Sequence, residues 1–232
     1  MVALAARASR ISPSLRECYR FPLSSPEARR DVLTGGLLVM FTLPIGFIMC
    51  MGHRLIVLER LHRGHHPAFF GFSPMSATFR RGLSAVVAIC CYLLPGVATV
   101  VLALTFDGTA RATLLPTGAL LLVAGLFALP GGMTHNALTG DMSILSRPDQ
   151  ALRIAFDGGI PYVKAWVIGW SAVGVAYASL FLLVVPFFFV SVWAWSVAGY
   201  AFTRALAPDA DLAVGDGTCA AFGPYHDRDA YS

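Results

Sequence analysis

From Ala165 to Thr203 the chain reads AWVIGWSAVGVAYASLFLLVVPFFFVSVWAWSVAGYAFT, without one charged residue or histidine. As a single helix this run would be about 58 Å long at 1.5 Å per residue, nearly twice the ~30 Å hydrocarbon core of a bilayer. Pro186 lies near its middle, where a missing N–H and a ring clash break a helix. Trp166 and Trp170 mark one end, and Trp193, Trp195 and Tyr200 stand toward the other. Trp and Tyr favour the membrane–water interface. The run therefore reads as two spans, over about 165–184 and 186–203, folded into a hairpin. One long helix kinked at Pro186 is the alternative.

Three further neutral runs lie upstream, at Val32–Gly52, Gly82–Phe106 and Ala112–Thr134. Each has the length of one helical crossing. They predict spans near 33–52, 83–106 and 114–133, five spans in all. Composition agrees, with 56% hydrophobic residues, 13% charged and a mean hydropathy of +0.67. A soluble domain carries about 25% charged residues. The expected class is an all-α integral membrane protein whose transmembrane domain covers 32–204. A basic, partly interfacial segment (1–31) precedes it, and an aspartate-bearing polar tail (205–232), expected to be disordered, follows. The N-terminal segment lacks the unbroken apolar stretch of a signal peptide, so no cleavage is expected.

The net charge of +4 suits anionic headgroups, and no nucleic acid is expected as a partner. With five spans, the loops His53–Arg81 and His135–Lys164 and the C-terminus share one side. Their arginines make that side cytoplasmic, in a prokaryotic inner membrane. If Pro44 and Gly46 instead made the first run re-entrant, the N-terminal arginines would join the same side.

The two loops resemble each other. Each follows a Pro-Gly-containing span end, Leu43-Pro44-Ile45-Gly46 or Leu129-Pro130-Gly131-Gly132. Each continues through a helical segment of mixed polarity and a proline-bearing polar stretch into an amphipathic segment, Ala77–Gly82 or Ala151–Gly159. Two amphipathic interfacial loop helices are the expectation; the likeness reads either as an internal duplication or as the arginines and proline that any two membrane loops share.

Several short motifs carry a family resemblance. They are Tyr19-Arg20-Phe21-Pro22 before Gly35-Gly36, then Gly52-His53-Arg54 and Pro67-Ala68-Phe69-Phe70. Gly140-Asp141 before Ala151-Leu152-Arg153, and the closing Ala198-Gly199-Tyr200-Ala201-Phe202, complete the set. Over about residues 19–206 the chain resembles the bacterial and archaeal membrane family called domain of unknown function 4013. His53 stands where that family has an aromatic residue, and the closing segment lacks its His and Gln. The resemblance implies a polytopic membrane protein and no particular activity.

Dinucleotide, P-loop, zinc-protease and nucleophile-elbow motifs are absent, and the five cysteines form no CxxC pair. None of the five predicted spans holds an Asp, Glu, Lys, Arg or His, which argues against ion-coupled transport. The candidate contacts to lipid phosphate are Arg54, Arg60, Arg63, Arg80, Arg81 and Arg153, since guanidinium groups bind phosphate bidentately. His62, His65 and His66, with His53 nearby, are the metal candidates, set against a plain basic interfacial loop. Asp141, Asp149 and Asp157 read as helix caps and ion-pair partners. Ala172 with Ala176 and Gly174 with Ala178 form small-xxx-small pairs for close helix packing, within the chain or in a dimer.

These features rank a non-enzymatic accessory, assembly or structural component of a membrane complex first. Its partners would be the bilayer and other subunits or a second copy; the sequence names no cofactor and no catalytic residue. An uncoupled permease or lipid-handling protein built on the repeat is the alternative. A membrane enzyme acting on lipid headgroups comes third.

Overall fold

The computed structural model describes residues 12–62, 75–139, 143–144 and 147–206, with side chains at 60–62 and 138–139 left aside. Among the described residues every regular element is helical. In chain order these are α1 (Leu15–Arg20), a 3-10 turn (Phe21–Leu23), α2 (Pro26–Phe41), α3 (Leu43–His62), α4 (Met75–Ala103), α5 (Gly108–Thr139), α6 (Pro148–Leu182) and α7 (Val184–Leu206). Four of them, α4 to α7, are long and apolar enough to cross a membrane.

The first neutral run departs from the expected single span over 33–52. Its helix stops at Thr42, which leaves helical geometry (φ −128°, ψ 47°) while its hydroxyl donates to the Leu38 carbonyl at 2.7 Å. Helix α3 starts at once, with Pro44 in its first turn, where a missing N–H breaks no hydrogen bond. The two helices then run antiparallel. Gly46 lies directly on the Leu38–Val39 backbone, the Cys50 thiol reaches the Gly35 carbonyl at 3.6 Å, and His53 meets Asp31. A neutral run of span length has become a helical hairpin, and the count of candidate spans falls from five to four.

The neutral run over 165–203 does form two antiparallel helices, within α6 and α7. Tyr162 packs on Phe202 at one end, and Tyr177 on Phe187 at the other. The turn falls at Leu183, which is fully extended (φ −163°, ψ 142°), and Pro186 lies in the first turn of α7. Helix α6 has its own discontinuity at Gly159 (φ 56°, ψ −140°), a backbone geometry that disfavours any Cβ. Gly159 divides the Pro148–Gly158 segment, buried along Ala151, Ala155 and Gly158, from the apolar length that follows.

Close helix approach rests on glycines. A Cβ on Gly52 would enter the Thr78 carbonyl, and one on Gly82 the Ile48 carbonyl, so α3 and α4 touch backbone to backbone. Gly96 admits Leu122, and Gly125 admits the Tyr92 carbonyl, between α4 and α5. In lipid, where apolar burial drives helices together little, such contact supplies the packing energy. Outside the bundle, Phe181, Leu182, Leu120 and Val167 are exposed, as lipid-facing side chains are.

These antiparallel pairings bring α1, the open end of the α2–α3 hairpin, the starts of α4 and α6 and the ends of α5 and α7 to one end of the bundle. Arg16, Arg20, Arg29, Arg30, Arg54, Arg80, Arg81, Arg147, Arg153, Lys164 and Arg204 all belong to that end. Among the described residues Arg111 alone, with Asp107 nearby in the chain, belongs to the other.

Candidate functional site

Polar groups inside the described part of the chain concentrate where the open end of the α2–α3 hairpin meets α7. Asp31, in the second turn of α2, and His53, on α3, are both buried, at 5% and 8% exposure. His53 Nε2 stands 2.8 Å from Asp31 Oδ2, in ion-pair range although off the line of a good hydrogen bond. Around them lie Cys50, Arg54, Trp195 and Ser196, closing on a cavity of about 30 Å³. That is room for a water-sized group, not a substrate.

Arg54 follows His53 in the chain and turns inward as well. A Cβ on Gly199 of α7 would stand 2.7 Å from Arg54 Nε, so the glycine makes the space that the arginine fills. Arg54 Nε is buried without a hydrogen-bond partner among the described residues. Burial lowers this guanidinium to about 10, which leaves it cationic at neutral pH. A carboxylate, an imidazole and a guanidinium thus share one small chamber behind the hairpin.

Two further ties flank it. Glu17 of α1 accepts from the Tyr200 hydroxyl at 2.6 Å and from Arg204 at 3.1 Å, both on α7. Phe21 stacks on Tyr200 with ring centroids 4.3 Å apart. Glu59 near the end of α3 pairs with Arg81 of α4. Cys18, on the buried face of α1, has its thiol pushed up to about 12, chiefly by burial and then by Glu17.

The arginines singled out from sequence do not form one surface. Arg54 points into the chamber and Arg81 is engaged by Glu59, while Arg80 and Arg153 are exposed. The side chains of Arg60 and His62, and Arg63, His65 and His66 entirely, lie outside the described residues, as does Asp141. Among the described residues no group of three His, Cys, Asp or Glu side chains could hold a metal ion. Asp149 sits in the first turn of α6.

The small-residue pairs divide. Ala172 and Ala176 are buried in the cluster shared with α7, whereas Gly174 and Ala178 face outward.

Asp31 is not among the site residues expected from the sequence. Its signal was positional: Asp31 and His53 bracket the neutral run Val32–Gly52, with Pro44 near its centre. A run folded at its middle brings its two polar ends together. The chain matches no protein-family model, no curated protein and no solved structure.

Proposed function

We propose that the chain is a non-catalytic polytopic membrane component that serves as an accessory or assembly subunit of a larger membrane complex. One observation supports this reading above the others. Glu17, Asp31 and Glu59 each face a basic side chain on a different helix, Arg204, His53 and Arg81 in turn. These carboxylates join α1 to α7, α2 to α3 and α3 to α4; each ties two helices together, and the three do not converge on one cavity. The resemblance to the domain of unknown function 4013 family is part of the same proposal.

The test is gentle extraction of the tagged chain from its native membrane, followed by native mass spectrometry and chemical cross-linking. A second polypeptide at fixed stoichiometry, cross-linked in the membrane before extraction, is the expected result. A lone monomer under every mild detergent, with no cross-linked partner, overturns the reading.

A further inference from the structure

Helix α1, the turn after it and the end of α7 enclose an outward-opening basin of about 490 Å³. Its walls are Ser14, Arg16, Glu17, Arg20, Phe21, Ser24 and Tyr200. Two features distinguish it from an ordinary basic surface. The first is the state of its charges. Glu17, the acid in the wall, is already engaged by Tyr200 and Arg204. Arg16 and Arg20 are four residues apart on α1, hence on one face, and make no hydrogen bond or ion pair among the described residues. Arg29, the next arginine, is by contrast occupied by the Leu23 carbonyl at 3.1 Å.

The second feature is shape and place. The Phe21–Tyr200 stack backs the basin, with a flat apolar wall below two cations. Ser14 and Ser24 line it as well; the Ser14 hydroxyl makes no cap hydrogen bond, and the Ser24 hydroxyl donates to the Phe21 carbonyl at 2.7 Å and can still accept. Leu15 and Leu23, exposed at 54% and 46%, flank the arginines on either side along the chain. Apolar side chains beside paired arginines at the basic end of a membrane bundle match a molecule that is anionic at its head and oily behind it. A volume of this size falls within the roughly 300–1,000 Å³ of small-molecule sites.

We infer that this basin binds the phosphate of an anionic phospholipid headgroup, with Arg16 and Arg20 as its guanidinium clamps and Phe21 and Tyr200 against the glycerol portion. This goes beyond the accessory role and does not depend on it, because a subunit with or without partners can hold a lipid. Arg54, Arg80, Arg81 and Arg153 are not among the residues that line the basin.

The experiment uses the full chain, delipidated in detergent. Phosphatidylglycerol, phosphatidylcholine and inorganic phosphate are added separately, and retention is read by native mass spectrometry. The expected result is one tightly retained phosphatidylglycerol, with the two competitors held at least about tenfold more weakly. The choline cation of phosphatidylcholine is repelled by the paired guanidiniums although its phosphate is the same, and inorganic phosphate lacks the glycerol and acyl contacts. The double variant Arg16→Gln/Arg20→Gln changes only exposed side chains, and it should lose that preference. Arg153→Gln, an exposed arginine on the same end but outside the basin, should keep it. Equal retention of both lipids, binding of inorganic phosphate as tight as the lipid, or the same loss in the Arg153→Gln variant would each overturn the assignment. Unchanged binding in the double variant would do so too. Partner recovery is scored separately in the accessory-subunit experiment, so either idea can fail alone.

Discussion

Asp31 and His53 stand at opposite ends of one uncharged stretch of sequence, yet their side chains lie 2.8 Å apart inside the protein. The contact closes the α2–α3 hairpin at its open end, against α7. Asp31→Ala removes the carboxylate and leaves a buried imidazole facing a smaller, apolar neighbour. The expected cost is about 1–3 kcal/mol of stability, the usual range for removing one partner of a buried polar pair. Cys50, buried at 5% exposure one turn before His53, reports the event directly. Maleimide labelling of Cys50 should be slow in the wild type and faster in Asp31→Ala; equal rates would show that the pair does not hold the hairpin shut.

Glycines at the α3–α4 crossing make a sharper prediction. Gly52→Ala and Gly82→Ala each drive a methyl group into the backbone of the facing helix, where no flexible side chain can yield. Overpacking of this kind costs about 1–3 kcal/mol. Gly174→Ala is the control, because nothing lies within 4 Å of its Cβ position. It should be neutral or gain up to about 1 kcal/mol from helix propensity. Thermal scans in one detergent, read by size-exclusion fluorescence, separate the two classes; similar midpoints for all three variants would remove the crossing as a determinant of stability.

Cys18 supplies a pH dependence. Its thiol ionises near 9.0 when free and at about 12 in the fold, because burial disfavours the thiolate. The unfolded chain therefore releases this proton first as pH rises. The stability contribution is fully present below about pH 9 and is lost between there and about pH 12. Cys18→Ser or Cys18→Ala should flatten that part of the stability curve. In the folded protein Cys18 should also resist iodoacetamide at pH 8, and rapid alkylation there would contradict its burial.

The helical class and the α6–α7 hairpin were legible because length alone decided them. A run of neutral residues spanning 165–203 is too long for one crossing, and a proline near its middle offers a place to turn. Length misled at Val32–Gly52, since a run that fits one crossing also fits the inner halves of two shorter helices. The deciding signals there were Pro44 at the centre and polar residues at both ends. The chamber around Arg54 and the basin beside Glu17 were not legible. Both depend on contacts such as Glu17 to Arg204, separated by 187 residues, and no local pattern records which helix end α1 will meet. The inward turn of Arg54 depends equally on Gly199, far along the chain, lacking a side chain.

The hairpin changes the topology, and this gives the most discriminating experiment. If α2 and α3 turn back at Thr42, then Ser14, Arg30 and Arg80 lie on the same side of the membrane, and Gly108 lies on the other. If the 33–52 run crossed instead, Ser14 and Arg30 would sit opposite Arg80. Single cysteines at these four positions, in a chain whose natural cysteines are replaced by serine or alanine, can be probed with a membrane-impermeant maleimide in sealed, oriented vesicles. Positions 14, 30 and 80 should label from one face and 108 from the opposite face. A cysteine at Phe41, exposed at 75% beside the hairpin turn, should stay unlabelled from both faces if that turn lies in lipid. The charge distribution favours this outcome, because the hairpin gathers every described Lys and Arg except Arg111 at one end of the bundle. Such one-sided clustering of basic residues is the pattern that the positive-inside rule describes. Labelling of 14 and 80 from opposite faces would restore the five-span topology and separate the arginine basin from the side of the membrane that bears Arg80.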